Sequence, residues 1–178
     1  LPFNHYSVTP HTMAVFPVVS EIKTVSEQYS WITIHIIDNI NKLSDVSVVD
    51  FATISAFSKA DKSPLKMAKE LKVEYLIFPQ IIQSGNKLNI YIETLDAVNG
   101  KSWSFSSEKS LEKLTLEDIN ELRKEIAMNF VQSMNIKVSA DEMVRISKLP
   151  TKNLEAWNKY TQALNILASS ENALEKAK

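Results

Sequence analysis

The sequence predicts an α/β (α+β) fold: a mixed sheet ending in an antiparallel meander, with helices packed on it and a helical extension behind. Three observations predict it. In the first half of this 178-residue chain, short apolar runs rich in β-branched residues alternate with segments of helical period. Two turn signals, Ser84-Gly-Asn-Lys87 and Asn99-Gly100, each separate alternating runs. After Thr115, apolar residues recur only at helical spacing.

Met13 to Ser20 (MAVFPVVS) reads as a buried strand. The stretch SEQYSWITIHIIDNINKL alternates at its centre. Its length and the single face shared by Ile32, Ile36, Ile40 and Leu43 decide for a helix. Val46 to Ile54 returns to strand composition. Ser63-Pro64 announces the next helix, with Leu65, Ala68 and Leu71 as its inner stripe. Tyr75 to Gln83 is a strand containing Pro79, which cannot donate to a ladder, so an edge position or a bulge is expected there. Beyond the first turn, Leu88, Ile90 and Ile92 face one way and Asn89, Tyr91 and Glu93 the other.

Asn99-Gly100 is a hairpin signal, since a type I′ turn needs positive φ at both central residues. Asp96 hydrogen-bonds local backbone in the same bend, a structural role. An acid serving catalysis would want a partner base, and none is evident in the sequence. A helix follows Thr115, capped reciprocally with Asp118, with Ile119, Leu122, Ile126, Phe130 and Met134 on one side. A short helix spans Asp141 to Lys148. Asn153 caps a last one, whose stripe is Leu154, Trp157, Tyr160, Leu164 and Leu167.

Composition excludes several functions. Twenty basic against 21 acidic residues leave no field for a polyanion, and Arg123 and Arg145 are not clustered, so direct nucleic-acid binding is not expected. With 2 glycines, standing apart, neither a P-loop nor a dinucleotide fingerprint can be written. The absence of cysteine removes thiol catalysis, disulfides and zinc ribbons. No apolar run approaches the ~18 residues of a spanning helix. The opening LPFNHYSVTPHT reads as a linker or cut end, and ENALEKAK reads as stopping inside a helix, as in a fragment whose anchor lies elsewhere.

MAVFPVV, SPLKMAKELKVEYLIFPQIIQSGNKLNIYIETLDAVNGKSW and LPTKNLEAWNKYTQALNIL, in that order, resemble the TolB amino-terminal-like α/β module of membrane-anchored bacterial signalling proteins. That module occurs in ToxR/CadC-type regulators and some class III nucleotidyl cyclases, usually followed by tetratricopeptide repeats. The resemblance covers Met13 to about Leu167. It implies a linker over 1–12, an α/β domain over 13–138 and the start of a truncated repeat array over 139–178. It also implies a non-catalytic sensory or interaction module, extracytoplasmic or else cytoplasmic, with its DNA-binding or cyclase domain upstream. No catalytic residue is carried over. Two departures stand out. Lys72 occupies the position of a helix-ending glycine, where a left-handed lysine costs ~1 kcal/mol. Phe78-Pro79-Gln80 replaces the family's Glu-Gly-Ser.

Few side chains are chemical candidates. His35 lies three residues before Asp38, half of a metal site or a proton pair at most; the simpler reading is a tolerated core histidine. His5 and His11 fall in the expected linker. Glu117, Asp118, Glu121 and Glu125 form a solvated helix face interrupted by Arg123 and Lys124. Ser106-Ser107 and Ser169-Ser170 have no histidine in a recognisable relation to them. No catalytic, cofactor or metal residue is expected. Trp157, Tyr160, Leu164 and Leu167 form the one partner-facing stripe: a lone hairpin of repeat helices leaves it to be covered by the α/β domain, further repeats, a protein partner or a second copy. Two other readings stay open: an envelope-assembly lipoprotein of the curli-secretion type, similar at AKELKVEYLI, and an enzyme with an unrecognised pocket.

Overall fold

The computed structural model describes residues 11–58, 62–110, 115–148, 151–163 and 166. Strand β1 (His11–Val15) begins at His11 rather than Met13, and Met13, Ala14 and Val15 are fully buried. His11, expected in a linker, is therefore a strand residue; its Nδ1 lies 3.0 Å from Glu74 Oε2. The single long helix expected next is two, α1 (Lys23–Gln28) and α2 (Trp31–Ile40). The break falls at Tyr29-Ser30, where the Ser30 hydroxyl donates to the Glu27 carbonyl at 2.8 Å and competes with the helical ladder. The stripe Ile32, Ile36, Ile40 and Leu43 is buried as expected.

Strand β2 covers only Val46–Val48. The expected strand through Ile54 gives way to helix α3 (Phe51–Phe57), because Asp50 caps it: its carboxylate accepts from the Thr53 amide at 2.8 Å. Helix α4 (Pro64–Leu71) starts at the Ser63-Pro64 signal. Its buried residues are Met67 and Ala68, while Leu65, expected inside, is 55% exposed. Lys72 ends it in the left-handed region at φ 55, ψ 46, and Val73 donates back to Ala68 at 3.0 Å, closing the turn a glycine would normally close.

Strands β3 (Tyr75–Ser84), β4 (Lys87–Asp96) and β5 (Lys101–Ser110) form the meander. The sheet order is β2-β1-β3-β4-β5, parallel across β2-β1-β3 and antiparallel beyond. Pro79 thus lies in the central strand, not at an edge or a bulge. It is tolerated because β1 leaves β3 after Val15 and touches it again only at Val19, which bonds to the Pro79 carbonyl and the Ile81 amide. The missing N–H points into that detour, where no ladder partner is lost.

Helices cover both faces. The crossover from β1 to β2 runs on one side and that from β2 back to β3 on the other, as right-handed crossovers in opposite directions require. Ala14, Phe16 and Leu76 meet Ile54 of α3 and Met67 and Ala68 of α4 in the smaller core. Met13, Val15, Ile77, Ile81, Leu88, Ile90 and Ile92 meet α2 and helix α5 (Leu116–Ser133) in the larger. The stripe of α5 is buried, and its Thr115/Asp118 capping box is complete.

Helix α6 (Ala140–Ser147) and the helical segment 154–163 join the larger core through Ile146 and Trp157. Glu142 ties α6 down. Its carboxylate accepts from the amide and hydroxyl of Ser139, both at 2.7 Å, and from those of Ser44 at 2.6 and 2.7 Å. These bonds, led by the Ser139 hydroxyl, hold its pKa down at about 2. Asn153 caps the last segment through the Ala156 amide.

Candidate functional site

The bend at Asp96 is architecture, though not the turn expected. Asp96 pairs with Lys101, so the loop is Ala97 to Gly100, and only Gly100, at φ +67, is left-handed. The Asp96 carboxylate accepts from the amides of Val98 and Asn99, both at 2.9 Å, and from the Asn99 side chain at 2.7 Å. Burial opposes ionisation, but these bonds outweigh it and lower its pKa. Three of the roughly four acceptor directions of the carboxylate are thus spent on the loop itself. At the other turn only Gly85 is left-handed, as a II′ turn demands.

The remaining candidates divide sharply. Glu125 accepts from Ser107 and pairs with Lys109, and Asp118 serves its cap, so the acidic run is a solvated helix face. No group of three metal-ligating side chains exists among the described residues. His5, Leu164, Leu167, Ser169 and Ser170 lie outside the described residues. A groove of about 270 Å³ lined by Phe16, Pro17, Val19, Met67, Phe78 and Pro79 is apolar, with only Ser58 to offer a polar atom.

His35 and Trp157, by contrast, come together. On α2 the spacing of Trp31, His35 and Asn39 places all three on one face beside the isoleucine stripe. The 154–163 segment lays Trp157 flat on His35, ring centroids 4.5 Å apart and planes 13° from parallel. Trp31 meets both edge-on, at 5.5 Å from His35 and 6.0 Å from Trp157. Trp157 is thus 1% exposed, covered by its own chain, while Tyr160 beside it stays 38% exposed. From α5, Arg123 enters the same pocket, 2% exposed, its guanidinium 5.8 Å over the Trp157 ring.

The polar side of this cluster is half-furnished. Arg123 Nη2 donates to Asn39 Oδ1 at 2.8 Å and lies 3.8 Å from Asp38. Asn39 Nδ2 returns a bond to the Arg123 carbonyl at 3.4 Å. Lys42 pairs with Asp38 at 2.9 Å. Arg123 Nε and Nη1 and both His35 ring nitrogens are buried without a partner. Burial, then the neighbouring Arg123 charge, pushes His35 down to about 3, against the pull of Asp38. His35 is therefore neutral at pH 7 and makes no bond to Asp38, in keeping with the simpler reading of a core histidine rather than a proton pair. Arg123, Trp31 and Asn39 were not singled out as site residues by the sequence; the four- and eight-residue offsets of Trp31 and Asn39 around His35 were the available signal.

These features define a class: a small α/β module with a five-stranded mixed sheet, whose 154–163 segment packs Trp157 into the larger core. No family model matches the chain. It is 27% identical over 130 residues, 71% of its length and 21% of the relative's, to "Putative adenylate cyclase 3" of Rhizobium meliloti (strain 1021). The chain thus spans about a fifth of the curated relative it matches. Among solved structures it shares the fold of lipoprotein GNA1162 from Neisseria meningitidis, with a TM-score of 0.50 and 14% identity, over 73% of this chain and all of that one. TolB from Acinetobacter baumannii matches with a TM-score of 0.48 and 9% identity, over 70% of this chain and 29% of that one. Among the described residues, no helix is long and apolar enough to cross a membrane.

Proposed function

We propose that this chain is a non-catalytic sensory or protein-interaction module, the extracytoplasmic part of a membrane-anchored bacterial regulator or nucleotidyl cyclase. The observation that carries the reading is the match of most of this chain to a fifth of a cyclase-named protein, the pattern of a module within a larger signalling chain. The inward-turned Asp96 and the apolar groove support a module that binds rather than reacts. The tetratricopeptide reading of the 139–178 region belongs to the same proposal: segment 154–163 is the first helix of an array that presents Tyr160 to a protein partner or a second copy.

A second reading is favoured by the shared fold with a lipoprotein: an envelope-assembly component acting through protein contacts. One pair of measurements separates the cases. Alkaline phosphatase fused after this segment in its parent protein should be active, as an extracytoplasmic position demands; an inactive fusion overturns the location. The purified chain, given ATP or GTP with magnesium, should form no cyclic nucleotide, and product formation overturns the non-catalytic assignment. A parent chain that ends in this module behind a lipidated cysteine decides for the lipoprotein reading.

A further inference from the structure

We propose that the cavity between α2 and α5 is a binding site for one monatomic anion, chloride in its physiological form. The cavity is lined by His35 and Asn39 of α2 and Arg123 of α5, and is otherwise walled by Trp31, Ile32, Ile36, Leu122 and Ile126. Its volume is about 10 Å³, room for a single water-sized guest, so sulfate, phosphate and carboxylates do not fit.

The chemistry of the lining selects an acceptor. Arg123 is 2% exposed, and its Nε and Nη1 have no partner, which leaves about three N–H hydrogens free. Neutral His35, also 2% exposed, adds one N–H and offers one acceptor nitrogen. Asn39 contributes no further acceptor: its Oδ1 already receives from Arg123 Nη2 and Lys42, and its Nδ2 donates to the Arg123 carbonyl. A water placed here accepts two of these hydrogens and can return one of its own to the His35 acceptor nitrogen, which leaves its second hydrogen and the remaining N–H groups without a partner. An anion accepts from all of them.

Charge points the same way. A buried guanidinium without a full counter-charge is costly. Asp38 is the acid facing it. That carboxylate is half-exposed, lies 3.8 Å from Nη2 and is already held by Lys42 at 2.9 Å. An anion on the Nε/Nη1 side supplies what Asp38 leaves short. The remaining walls are apolar, and Arg123 and His35 are each 2% exposed, so little water screens the pair.

The test uses the whole chain. Crystals soaked in bromide and measured at the bromine absorption edge should show an anomalous peak within hydrogen-bonding reach of Arg123 Nε or Nη1. An ordered water only, with no peak there, overturns the proposal. In solution, thermal unfolding at constant ionic strength should rise saturably when gluconate is replaced by chloride, by about 3–5 °C at tenfold the dissociation constant. Arg123→Gln should abolish the rise. Where that variant does not fold, Asn39→Ala, which leaves Nε and Nη1 in place, should keep a saturable rise with a changed midpoint. Equal melting in chloride and gluconate for the unmodified chain overturns the site, and neither result depends on the signalling role.

Discussion

Glu142 and Arg123 are both buried charges that fasten a helix to the body of this fold, and they are served in opposite ways. Glu142 receives four hydrogen bonds from two serines and is complete. Arg123 uses one of its three nitrogens on Asn39, leaves the other two unpartnered, and is covered by an aromatic ring instead. The first arrangement spends every acceptor on structure. The second leaves Arg123 Nε and Nη1 unpartnered beside the Trp157 ring.

The largest expected effect comes from removing that ring. Trp157→Ala should destabilise the fold by about 3–5 kcal/mol in denaturant unfolding, since it empties a fully buried site. Amide exchange should rise in residues 154–163 while β3 and β4 stay protected; unchanged exchange in that segment would show that Trp157 is not what holds it. On the saturated side, Glu142→Ala should cost about 2–3 kcal/mol, because the amides of Ser44 and Ser139 lose their acceptor. A cost equal to that of a surface substitution would show that water replaces the carboxylate freely.

Acid separates the two anchors. His35 has its folded pKa lowered from 6.5 to about 3, so the unfolded chain binds a proton that the folded one refuses. Stability is then lost as pH falls below 6.5, at up to about 1.4 kcal/mol per pH unit. The Glu142 carboxylate, lowered from 4.5 to about 2, loses its contribution only as pH falls below 4.5. His35→Phe should therefore flatten the unfolding free energy between pH 6.5 and 4.5 by about 2 kcal/mol, leaving the steeper loss below it. An unchanged slope would mean that the ring is solvated in the folded state. Smallest are the turn controls away from both anchors. Gly100→Ala should cost about 1 kcal/mol from its positive φ alone, as open space surrounds the position. Lys72→Gly should be neutral to slightly stabilising.

What could be read in the sequence follows the range of the forces involved. The meander, the α5 stripe and its capping box are local patterns, and they stand where periodicity puts them. Phe51 to Ile54 reads as strand by composition, but one short bond from Asp50 makes it a helix. Leu65 falls on the stripe that spacing suggests but faces out, because α4 buries Met67 and Ala68 instead. The cost of Pro79 is not local: the detour of β1, distant in sequence, decides it. The His35 cluster draws on α2, α5 and a segment far along the chain. In the sequence Arg123 is one charge within an acidic run, and only the meeting of those elements buries it.

The sheet order carries a consequence for how the chain folds. β3, β4 and β5 are joined by tight hairpins, so the meander closes with contacts near in sequence and little loop entropy to overcome. β1 joins this platform by parallel pairing across a long separation: the Glu74–Thr12 contact spans 62 residues. The antiparallel ribbon is thus expected to form first, with β1 and its crossover helices docking onto it. Substitutions at Ile90 or Ile92 should slow folding, whereas those at Met13 or Ala14 should chiefly speed unfolding. Until β1 docks, the side of β3 that carries Tyr75 to Ile77 is a bare ladder, and a nascent chain is most open to mispairing there.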